Sequence, residues 1–120
     1  MAKIKSFTNI EHELLPDFRK NMGLSESTED VRKFFFYTVR DLFEQILEGS
    51  VHPEYEDITL VPDQEPPFIL SDRLKENEKL KELWDSSDLL HIINRFAEAA
   101  VNHYRHLEKH PEKTEAKIRQ

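Results

Sequence analysis

The sequence predicts an all-α fold, a bundle of about four helices with a long Pro-rich crossover between the second and third. Three observations carry that expectation. Val31 to Leu47, read as VRKFFFYTVRDLFEQIL, concentrates apolar side chains at helical spacing. Leu89, Ile92, Ile93, Phe96, Ala100, Tyr104 and Leu107 repeat the spacing towards the other end of the chain. With 34% charged residues and two glycines in 120, the composition suits helices with solvated faces and leaves little for a turn-rich sheet. The helices are expected at about 9–22, 28–48, 71–85 and 87–109, in a single domain over 1–110, with 111–120 a mobile charged tail.

The first element holds Ile10, Leu14, Leu15, Phe18 and Met22 at helical spacing, interrupted by Pro16. The reading is a short turn over Asn9 to Leu15 leading into a helix that uses Pro16 as an early position, where a missing amide costs little. Gly23 ends it, and the short link to Thr28 folds it back on the second helix. In that second helix Val31, Phe35, Val39, Leu42 and Ile46 form one stripe, and Phe36, Phe43 and Leu47 form a row beside it. Phe34 and Tyr37 project from its flanks, so a helix this apolar needs several neighbours or a second copy of the chain. Ser27 or Thr28 caps its start, Glu29 and Asp30 suit the dipole, and Gly49 supplies a left-handed turn at its end.

Pro53, Pro62, Pro66 and Pro67 exclude helix from most of the next segment. Asp57 to Val61 and Phe68 to Leu70 fit either a small hairpin or an extended crossover strapped over the helices, and both remain open. Ser71 caps the third helix, whose apolar content is Leu80, Leu83 and Trp84, and Ser86 or Ser87 caps the last. His91, Arg95, Glu98, Asn102, Arg105 and Lys109 form the solvated face of that last helix, which Pro111 stops.

Composition also bounds the function. The absence of cysteine removes disulfides and thiol chemistry and fits a reducing cytoplasm. No apolar run reaches transmembrane length, and MAKIKSFTN lacks the apolar centre of a signal peptide, so the expectation is a soluble cytoplasmic protein with no membrane partner. A formal net charge of −7 argues against nucleic-acid binding by phosphate neutralisation.

Two polar features point to chemistry. His103, His106 and His110 stand three and four residues apart on one flank, a strip that can hold a divalent metal. A plainer account is that cations gather at a helix C-terminus because the dipole favours them. Arg105 and His110 make an Arg-x4-His spacing that resembles the element of HEPN-type ribonucleases and toxins, a match covering those six positions alone. The resemblance implies phosphate binding by Arg105 and proton transfer by His110. With no nucleophile elbow or Gly-rich cradle, the leading expectation is no catalytic residue and no cofactor. It is instead a small binding or regulatory protein acting through protein–protein contacts, with Phe34, Phe36 and Tyr37 as interface candidates in a homodimer.

Overall fold

The structure, a computed structural model, describes residues 6–49 and 51–109. It is mostly helical, with five α-helices and one two-stranded antiparallel sheet: α1 (Thr8–Leu24), α2 (Thr28–Ile46), β1 (Ile58–Leu60), β2 (Phe68–Leu70), α3 (Asp72–Lys75), α4 (Glu78–Ser86) and α5 (Leu89–Lys109). No helix among the described residues is long and apolar enough to cross a membrane.

Burial concentrates on α2, where Val31, Phe35, Val39, Leu42 and Phe43 are completely enclosed. Its neighbours are α1, α5 and β1, so its broad apolar perimeter is covered from within the chain. Ser27 caps the helix by accepting from the Asp30 amide at 3.2 Å, and the Asp30 carboxylate accepts from the Glu26 amide at 3.0 Å. The helix ends at Ile46, short of the expected 48, because Glu48 (φ 51°) and Gly49 (φ 78°) both turn left-handed and the Gly49 amide donates to the Glu44 carbonyl.

Two further expectations are corrected, and one left open is decided. Pro16 lies inside one continuous α1 and not near the start of a helix. Its fixed φ is helical, and both Pro16 and His12, whose carbonyl loses its amide donor, are exposed, so water can satisfy the freed carbonyl. The single helix expected over 71–85 is two: α3 stops at Lys75, and the Asn77 side chain starts α4 by accepting from the Leu80 amide at 3.0 Å. The crossover forms the hairpin, with Ile58 opposite Leu70, Thr59 opposite Ile69 and Leu60 opposite Phe68.

Long-range polar contacts tie the first helix to the last. The Asp88 carboxylate accepts from the Phe7 amide at 2.8 Å and from the Ser6 and Thr8 hydroxyls, so it caps α1 from the start of α5. One turn on, the buried Glu11 receives both Nε and Nη2 of Arg95 at 2.7 Å, which takes Arg95 off the purely solvated face expected of it.

Replacing Phe35 by Ala is expected to cost about 3–5 kcal/mol in urea unfolding, because the ring is completely enclosed. Pro16→Ala should add about 1–3 kcal/mol, since it restores a backbone bond in an exposed helix interior.

Candidate functional site

The hairpin is held by one carboxylate. Asp57 is buried just before β1 and accepts from the Glu54 amide at 2.7 Å, the Ser71 hydroxyl at 2.7 Å and the Arg73 guanidinium. Burial pushes its carboxyl up, but the Arg73, Glu54 and Ser71 hydrogen bonds outweigh that and hold it below the usual carboxylate range. Ser71 also caps α3, so the same clasp fixes where the chain leaves β2 and where α3 begins.

The register then decides which backbone groups face outwards. The Val61 amide donates to Pro67 and the Ser71 amide to Asp57, so odd-numbered positions face each other across the ladder and even-numbered ones point away. On the outer side of β1, α2 packs close and Arg32 donates to the Leu60 carbonyl at 2.7 Å. On the outer side of β2, no backbone hydrogen bond reaches Phe68 or Leu70 among the described residues, and the sheet has no third strand. Pro66, next in that outward series, has no amide, so the outward donors are confined to Phe68 and Leu70.

Beside this edge lies a cavity of ≈ 550 Å³ between β2 and α4. Its wall is mostly apolar, made by Pro66, Phe68, Ile69, Leu70, Leu80 and Trp84, with Lys75, Lys81 and Asp85 around it. Leu80 is anchored in the core, Trp84 is half-buried, and Ile69 is 42% exposed. An unpaired strand edge next to an apolar hollow can take an extended chain: the edge supplies backbone hydrogen bonds and the hollow takes a side chain. Protein-family models, curated proteins and solved structures yield no match to the chain.

The structure scatters the residues singled out from sequence. Phe36 is 5% exposed and covered by Tyr55, whose ring meets it edge-on at 5.5 Å, so most of its surface is taken up within the chain. Phe34 is half-buried, and Tyr37 is 39% exposed with the Arg40 guanidinium 5.0 Å from its ring centre. Tyr55 is also exposed, and its hydroxyl donates to Glu29 at 2.9 Å. Burial and the Glu29 carboxylate raise this phenol above its ordinary pKa.

His103 and His106 come together with ring centres 6.2 Å apart, beside Phe18, Arg19 and Met22 in a groove between α1 and α5. His110 lies outside the described residues, and among those described no group of three His, Asp or Glu side chains is placed to hold a metal. Arg105 donates to the Pro62 carbonyl at 2.7 Å and reaches Asp63, which straps the hairpin loop to α5.

Sequence reasoning missed the β2 edge. Its traces were the Pro66-Pro67 pair ahead of three apolar residues and the single tryptophan on a segment with few other apolar residues.

Acid should release the clasp. A carboxyl whose folded pKa is depressed stabilises fully above its unfolded value near 3.9, and that contribution is lost as pH falls through the lower folded value. Asp57 and Asp88, lowered by the Phe7 amide and the Ser6 and Thr8 hydroxyls against burial, both contribute in this sense. Stability followed by urea unfolding should therefore decline below about pH 4, and Asp57→Asn should flatten that decline while costing about 1–3 kcal/mol at neutral pH.

Proposed function

We propose that this chain is a binding protein that takes up an extended segment of a protein partner between β2 and α4. The observation that carries the reading is the outward edge of β2, without a backbone partner among the described residues, running along an apolar hollow. The outward amides and carbonyls of Phe68 and Leu70 are four potential hydrogen-bonding groups on residues only 6% and 5% exposed. A partner strand must dislodge part of their cover to form bonds worth about 0.5–1.5 kcal/mol net each. One anchoring apolar side chain adds about 1.5–3 kcal/mol. These terms come to about 3.5–9 kcal/mol before the entropy of ordering the segment is subtracted, so they support weak binding of roughly millimolar order. Such affinity suits reversible regulation, and specificity comes from the side chain that fits beside Trp84.

Self-association is a second reading, favoured by the exposed rings of Tyr37 and Tyr55 packed about Phe36. Sedimentation equilibrium of the free chain separates the two, since a dimer held by those rings weakens on Tyr37→Ser and a peptide receptor does not need one.

The deciding experiment is selection of a displayed library of random peptides on the full chain, followed by NMR titration with the enriched peptides. The Phe68 and Leu70 amides are expected to shift and become protected from exchange, and Trp84→Ala should weaken binding by roughly tenfold or more. Failure to enrich any peptide, or binding that leaves those amides and Trp84 untouched, overturns the reading.

A further inference from the structure

We infer that the hollow between β2 and α4 is occupied by the chain's own residues 113–119, with Ile118 as the apolar anchor. The inference rests on the reading of the hollow as a seat for an extended segment, and it names a segment of this chain as an occupant.

Residues 113–119 read KTEAKIR, with charges at Lys113, Glu115, Lys117 and Arg119 and the uncharged Thr114, Ala116 and Ile118 between them. An alternation of period two puts the uncharged side chains on one face of an extended chain and the four charges on the other. The uncharged face carries one large aliphatic residue, Ile118, which is what a single apolar hollow can take.

The end of α5 lies close enough to deliver this segment. Tyr104 and Glu108 stand beside Val61 and Pro62, and Arg105 donates to the Pro62 carbonyl at 2.7 Å. Across the hairpin the Val61 amide donates to Pro67 at 2.8 Å, and the adjoining Pro66 belongs to the wall of the hollow. To reach Trp84 the segment crosses a strand spacing of about 5 Å and follows the three residues of β2 for about 10 Å. His110 to Ile118 is nine residues, which extend to roughly 30 Å.

Charge agrees with this occupant. Between Asp72 and Asp85 the two short helices and their link carry five carboxylates against three lysines, and Arg73 is taken up by Asp57. That acidic excess suits an anchor flanked by cations. With Ile118 turned into the hollow, the long stems of Lys117 and Arg119 let their charged ends reach the rim.

Tethering makes a weak site an occupied one. A segment on a short flexible tether has an effective concentration of about millimolar order, which matches the roughly millimolar affinity the hollow offers an extended chain. The hollow is then filled about half the time, and a free segment binds about twofold more weakly than it would to an open hollow.

The test uses the full chain, whose lack of cysteine permits a single nitroxide on Gln120→Cys. Both this position and Ile118 lie beyond Lys109, where α5 ends, and thermal melting checks that each variant stays folded. The label should selectively broaden the NMR resonances of the Trp84 indole and the Ile69 amide, and adding Ile118→Asp should abolish the effect. A synthetic peptide of residues 112–120 should shift the same resonances and bind Ile118→Asp about twofold more tightly than the parent. Absence of broadening, broadening that survives Ile118→Asp, or a peptide that leaves Trp84 unmoved overturns the inference. So does broadening of an isotope-enriched, unlabelled chain by an added spin-labelled one, which assigns the segment to a second copy. Library peptides that bind at Trp84 while residues 113–119 never approach it overturn this inference and leave the partner reading standing. Docking of residues 113–119 with no library peptide enriched supports the inference and overturns the partner reading.

Discussion

Everything in this structure follows from the need to cover α2. A helix that places Val31, Phe35, Val39, Leu42 and Phe43 out of contact with water cannot be satisfied by one neighbour, because its apolar residues extend over more than one face. The chain meets this with α1 on one side, α5 on another and β1 on a third. The helices alone cover two of those sides. The third falls to the crossover, which is why a Pro-rich segment unsuited to helix carries Ile58, Leu60, Phe68 and Leu70 as buried residues.

That role explains the shape of the candidate site. A strand that covers α2 must turn its inner edge to its own partner and one face to the core, and with only two strands one outer edge is left over. β1 lies against α2 and loses its free edge to Arg32 and the helix. β2 is left with its edge towards α4. The clasp at Asp57 fixes this arrangement, since the same carboxylate holds the turn before β1, the exit from β2 and the cap of α3. Asn77 then breaks what would be a single helix, so that α4 can begin again beside the strand.

These features were unequally legible in the sequence. The stripe of α2, the Ser27 and Ser71 caps and the apolar face of α5 could be read directly, because periodicity and capping are local properties. The C-terminal end of α2 and the split at Asn77 could not be read so well, since each depends on residues adopting a cap or a left-handed turn in competition with helix. Phe36 shows the limit on functional reading. As a third aromatic in a row it looks like surplus surface, and only the return of the chain through Tyr55 reveals that it is covered. Glu11 with Arg95, and Asp88 with Phe7, join residues far apart in the chain, and periodicity carries no signal for such pairs. The β2 edge left only faint traces for the same reason: whether a strand is paired on its second side is a property of the whole fold.

An unpaired strand edge has a simpler account that the structure must be weighed against. Proteins blunt such edges to prevent aggregation, with prolines, lysines and short strands, and Pro66 beside a strand of three residues fits that description. Protection of this kind works by making the edge unwelcoming and has no use for a hollow beside it. Here the edge instead borders ≈ 550 Å³ of mostly apolar space, which includes the only tryptophan of the chain. Close packing is the rule in protein interiors, and a helix free to settle against β2 would bury Trp84 and fill that space. A guarded edge beside a retained hollow is what the proposed uptake requires, with proline narrowing the set of chains admitted and the apolar wall rewarding the one that fits.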